Sequence, residues 1–133
     1  MINELDKRRL RFVVSPTRSF DPSLSLEMEK AYVCWKEVWD HAFKKELNVK
    51  DDLYSDNFTR QSEVAIIFHG DQILGLCTLN RFNLNLQQDL DDSYFKVWPS
   101  DVINKLKSEM HEVMSCCNAT IDFKYRKNQL GFS

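Results

Sequence analysis

Between Ser23 and Leu47 the apolar positions Leu24, Met28, Ala31, Tyr32, Trp35, Val38, Trp39, Ala42, Phe43 and Leu47 fall at steps of three and four, with charges between them. That rhythm places them on one stripe of a long helix capped near Ser23 or Ser25. Its two tryptophans read first as core, because burial of large rings dominates core energetics. Ahead of it, Arg9 to Ser15 (RLRFVVS) has a β-rich apolar centre, and the prolines and turn formers of SPTRSFDP end a first strand near Pro16.

The rhythm changes again at SEVAIIFHGDQILGLCTLNRF, where two β-rich runs flank His69-Gly70-Asp71-Gln72. This predicts a hairpin whose turn uses positive φ at Gly70, with His69 exposed on that turn. Gly75 would ordinarily weaken its strand, so a bulge or a close approach by another backbone is expected there. Polar, aperiodic Asn48 to Gln61 predicts a loop with a short helical turn. After polar Asn83 to Ser93, SYFKVWPSDVINKLKSEMHEVMSCC predicts an aromatic turn and then a helix. Pro99 lies near its start, Ser100 or Asp101 near the cap, and Val102, Leu106, Met110, Val113 and Met114 form its apolar face. Asn118 to Tyr125 (NATIDFKY) alternates as a last strand. The predicted class is α+β: a mixed, mostly antiparallel sheet with a central hairpin and flanking helices.

Composition narrows the setting. With 133 residues, 43% of them hydrophobic, the chain suits one domain, and nine Phe, four Tyr and three Trp can fill a sizeable core. A net charge of −2 without long single-sign runs argues against nucleic acid as a main partner. No apolar run approaches the roughly 20 residues of a membrane span, and the first residues lack a secretory core, so a cytoplasmic protein is expected. Cys34, Cys77, Cys116 and Cys117 lack C-x-x-C spacing and read as reduced, mostly buried thiols.

A strand, helix, hairpin and strand leading to an Arg-containing turn resembles the first half of the GNAT N-acyltransferase superfamily. VAIIFHGDQILGLCTL looks like its second and third strands, and TIDFKYRKNQLG like its fourth strand and pyrophosphate loop. Arg126 and Gly131 fit the ends of the loop pattern [QR]-x-x-G-x-[GA], and Gln129 stands where the middle glycine is usual. Such loops aim backbone N–H groups at phosphate oxygens, and a Cβ at Gln129 would hinder close approach. The insertion at about 82–117 is similar to that of the acyl-homoserine-lactone and N-acyl-amino-acid synthase branch, where a Trp, acids and an Arg belong to the site. Trp35 or Trp39, Asp52 and Arg81 occupy roughly comparable places.

The resemblance implies acetyl-CoA or a longer acyl-CoA as acyl donor, held by Ile121, Asp122 and Phe123 and by Arg126, Lys127, Asn128, Gln129, Leu130 and Gly131. It implies transfer to a small-molecule or peptide amine. It also casts the chain as an N-terminal GNAT-like part, inactive alone, completed by a C-terminal half or by a second copy. The alternative is a non-catalytic module that pairs with another protein through an exposed sheet edge. Acyl transfer to an amine needs a proton acceptor, for which Glu63 and Asp122 are the best-placed carboxylates; an ordinary solvated or capping role is the plainer reading of each. His41 and His111 suit structural or solvent-facing roles. A metal site at His111, Cys116 and Cys117 would lack a fourth ligand.

Overall fold

The computed structural model describes residues 6–126. Strand β1 (Leu10–Pro16) leads through a short turn at Pro22–Leu24 into helix α1 (Ser25–His41). A π-type turn (Ala42–Glu46) and the short helix α2 (Asp56–Thr59) follow, then the hairpin β2 (Glu63–His69) and β3 (Gln72–Asn83). Short α3 (Gln87–Leu90) and α4 (Ser100–Glu109) precede β4 (Glu112–Ile121). The four strands form one sheet in the order β1-β2-β3-β4. β1–β2 and β2–β3 are antiparallel. Bonds from Asp122 N to Leu74 O and from Leu84 N to His111 O fix β4 antiparallel to β3. The α+β class with an antiparallel sheet is thus what the alternating and helical rhythms predicted.

The described residues gather into two compact units, one containing those up to Leu79 and from Cys116 onward, the other Asn80–Ser115. In the first, Ala31, Cys34 and Trp35 of α1 pack against Val64, Ile66, Phe68 and Leu76. These strand residues alternate with Ala65, Ile67 and Cys77, so one sheet face receives the helix and the other does not. Leu53 and Phe58 join that core from the segment predicted as a polar loop. Phe58 sets its ring edge-on to Tyr32 at 5.7 Å and lies 5.3 Å from Trp35. Lys36 Nζ donates to the Leu53 carbonyl at 2.9 Å and holds the segment down. In the second unit, Phe82, Leu84 and Phe95 form a separate core with Trp98, Ile103 and Leu106 against it.

Several boundaries differ from the expectations. The cap at the start of the α1 region is Asp21, whose carboxylate accepts from Ser23 N at 2.9 Å, because Pro22 begins a tight turn one step earlier. Leu47 of the predicted stripe is exposed. The helix expected to include Met110, Val113 and Met114 stops at Glu109, and Met110 is already extended (φ −152°, ψ 158°). The last strand accordingly runs over Glu112–Ile121 instead of 118–125. Three- and four-residue spacing there is overridden by a partner: β3 reaches Asn83 and offers a ladder to the chain from His111 onward. Beyond Ile121 the chain turns at Phe123–Tyr125, because Asp122 Oδ1 accepts from Lys124 N at 2.9 Å. Tyr125 is buried and its hydroxyl donates to Gln72 Oε1 at 2.6 Å.

Gly70 adopts φ +60°, as the hairpin turn required. Gly75 meets both of its expected causes: the β2–β3 register shifts between Ile67 and Phe68, and a β-carbon would stand 2.5 Å from the Thr120 carbonyl oxygen. His69 is half-buried rather than exposed, because it closes β2 opposite both Leu10 and Gln72. All four cysteines are free, but only Cys34 is buried; Cys116 is exposed, on the opposite face of its strand from buried Ser115. No helix among the described residues is long and apolar enough to cross a membrane.

Candidate functional site

Asn118 interrupts β4. Its φ of +55° lies in the left-handed region that asparagine tolerates better than most side chains, and it breaks the strand's alternation. Thr120 faces the helix side, where its Oγ1 accepts from Trp39 Nε1 at 3.0 Å and donates to the Asn118 carbonyl at 2.6 Å. Asn118 Nδ2 donates to Thr78 Oγ1 at 2.9 Å, and that hydroxyl donates to the Cys117 carbonyl at 3.1 Å. Two successive residues of β4, Cys117 and Asn118, thereby line one pocket, as at a bulge where two residues oppose one. The pocket encloses about 230 Å3 between α1, α2 and β4. Trp35, Trp39 and Phe43 wall it, and Asn57, Arg60 and Gln61 bring polar groups. Periodicity identified both tryptophans as core but could not show that their edges bound a cavity.

The opposite sheet face carries a shallow apolar trough of about 530 Å3, lined by β1 to β4 with Gly75, Cys77, Ala119 and Ile121 at its β3–β4 end. Phe12 and Val14 on β1 stand 73% and 57% exposed beside it. Of the residues expected to hold the acyl-donor arm, Ile121 lines this trough, whereas Asp122 and Phe123 do not. Arg126 Nε donates to the Ile121 carbonyl at 3.1 Å, and its guanidinium lies 4.9 Å over the Phe123 ring. Ile121, Asp122, Phe123 and Arg126 therefore sit together at one end of β4. Lys127, Asn128, Gln129, Leu130 and Gly131 lie outside the described residues.

Glu63 and Asp122 are not brought together. Glu63 pairs with Leu79, whereas Asp122 pairs its amide with Leu74. Five residues along β3 separate those levels, about 17 Å at strand rise. Asp122 instead lies close to Cys34: burial first, then the Asp122 and Glu37 carboxylates, push that thiol up to about 12, against a smaller opposing pull from Arg126. Such a thiol stays protonated and is no nucleophile. Burial and the adjacent Cys116 also raise Cys77.

Asp52 pairs with Lys44 at 3.5 Å on the surface. Arg81 pairs with Glu112 at 3.2 Å, both well exposed. His111 Nδ1 is 3.1 Å from Asn85 Nδ2, and the His41 ring meets Phe123 edge-on at 5.2 Å. Among the described residues, no three His, Cys, Asp or Glu side chains converge as a metal site requires. No family model, curated protein or solved structure matches the chain.

Proposed function

We propose that the chain is the N-terminal part of a GNAT-like acyltransferase, which moves an acyl group from acyl-CoA or an acyl-carrier protein to an amine. The observation that carries this reading is the interrupted β4 strand between a helix-side pocket and an apolar trough on the other sheet face. Interruptions of this kind are over-represented next to active sites, because they take backbone groups out of the ladder and re-aim side chains.

In this reading the donor supplies a thioester carbonyl. The trough takes its apolar arm, and Ile121, Phe123 and Arg126 form the near end of its binding edge. The acceptor amine has to meet that carbonyl, so it approaches on the same sheet face, beside Cys77 and Ala119. Glu63, at the head of β2, is the carboxylate nearer the interruption; two strand spacings, about 10 Å, separate it from β4, so it acts through ordered water. Asp122 serves as a cap, since Lys124 N occupies one of its oxygens. Four free thiols accord with a cytoplasmic setting. A C-terminal half or a second copy would complete the trough.

Thermal-shift titration with acetyl-CoA and with a longer acyl-CoA tests this, on the 133-residue chain and on any longer form. A rise in Tm that grows with acyl length is expected. No shift in either form removes the donor from the reading. The second reading, a non-catalytic module that pairs with another protein, draws on exposed Phe12 and Val14 and on edge strands β1 and β4, each with one neighbour among the described residues.

A further inference from the structure

The trough on the sheet face away from α1 is apolar except at one place. Its floor crosses the strands through Ala65, Ile67, Gly75, Ala119 and Ile121, and Phe12 and Val14 of β1 leave large apolar side chains in water beside it. Lys7 is the one charged residue that lines it. The ion pairs of that region, Asp6 with Arg8 and Arg11 with Glu27, leave the Lys7 ammonium unpaired among the described residues. Because Lys7 immediately precedes β1, this charge stands at the β1 end of the trough. A lone cation at one end of an apolar hollow selects an amphiphile with an anionic head and an apolar tail.

The sheet sets the length of that tail. Neighbouring strands are about 4.8 Å apart, so the way from β1 to β4 is about 14 Å. An extended alkyl chain, with bonds of about 1.5 Å meeting at about 111°, advances about 1.25 Å per carbon. Roughly eleven carbons therefore reach from one edge strand to the other. The volume, about 530 Å3, has room for about 17 atoms at the 30 Å3 that a water takes, more than such a chain needs.

We propose that the trough binds a free, unbranched fatty acid of about ten to twelve carbons, with its carboxylate against Lys7 and its tail laid across β2 and β3 to Ala119 and Ile121 on β4. This goes beyond the acyl-transfer reading, in which the donor's head lies at the β4 end. The site stands on the trough and on Lys7 and needs no thioester, so titration with acyl-CoA and titration with a fatty acid can fail separately.

The test follows the Ala65 and Ala119 methyl resonances of the full chain by NMR during titration with straight-chain carboxylates from hexanoate to tetradecanoate, each below its micelle concentration. Decylamine serves as the cationic counterpart of decanoate. Both methyls should shift saturably with decanoate at about 0.1 mM. Each added methylene should tighten binding about two- to fourfold, and the gain should stop near eleven carbons, where the tail runs off β4. Decylamine should bind about tenfold more weakly than decanoate, and Lys7→Glu, a change at an exposed position, should reverse that preference. Ala119→Phe, also at an exposed position, fills the β4 end and should shorten the limit by one strand spacing, about four carbons. The proposal is overturned if neither methyl moves up to about 2 mM decanoate, if decylamine binds as tightly, or if affinity keeps rising to tetradecanoate. It is equally overturned if Lys7→Glu keeps the preference for decanoate or if Ala119→Phe leaves the limit unchanged. Sedimentation of the same samples adds one outcome: a dimer whose formation shifts both methyls and which decanoate does not displace gives the trough to a second copy and overturns the proposal too.

Discussion

Alanine at Gly75 would put a β-carbon 2.5 Å from the Thr120 carbonyl oxygen, closer than real β-carbons approach other atoms. The obstacle is backbone, so no side chain can swing aside; β4 itself must retreat by roughly half an ångström from β3. Overpacking of this kind costs about 1–3 kcal/mol, and alanine's smaller unfolded-state entropy returns about 0.4–1 kcal/mol. A net loss of about 1.3 kcal/mol follows, near 5 °C in Tm for a chain of this length. Because Thr120 also anchors Trp39, moving its backbone should disturb the helix side as well. Urea denaturation followed by far-UV circular dichroism gives the stability. Indole fluorescence at half-denaturing concentration reports whether the Trp39 anchor loosens with it. An unchanged or raised midpoint would refute the close approach of β4 and the account of why glycine stands there.

Thr120→Val removes the acceptor of Trp39 Nε1 and should cost about 1–3 kcal/mol in urea denaturation, whereas a surface substitution away from such bonds would give a few tenths. Phe58→Ala empties a ring site that is 2% exposed and should cost about 3–5 kcal/mol; a small loss would mean that the 48–61 segment does not belong to the core. Cys34 should resist alkylation at mildly alkaline pH while exposed Cys116 reacts, as mass spectrometry of peptides would show. The same thiol gives stability a pH dependence. Its folded pKa, about 12, exceeds the unfolded value near 9.0, so its contribution is intact below pH 9 and is lost as pH rises towards 12. Cys34→Ala should flatten that decline, and an unaltered slope would place its origin elsewhere.

Local rhythm alone determined the elements whose partners lie next to them in the chain. Alternation and a turn glycine specified the β2–β3 hairpin, and three- and four-residue spacing specified α1, because in each case the burying surface repeats within a few residues. Gly75 was legible as an anomaly for a similar reason: a strand glycine has no local justification, so a distant backbone had to supply one. What failed was local evidence set against a remote partner. Met110 to Met114 carries helical spacing, yet a long β3 offered it a ladder, and a sequence window cannot see across the intervening segment. The same blindness hid Leu53 and Phe58 in a polar stretch, where two apolar side chains reach the core without forming a period.

The candidate site divides along the same line. The sequence identified Trp35 and Trp39 as helix core, and it identified Arg126 through its place in a loop pattern. Only the fold decided that one indole N–H is answered and the other is not, and that Glu63 and Asp122 stand at different levels of the sheet. The physical reason is that burial is read from the periodicity of one segment. Whether a buried polar atom meets a partner depends instead on where α1, α2 and β4 converge, which no single segment encodes.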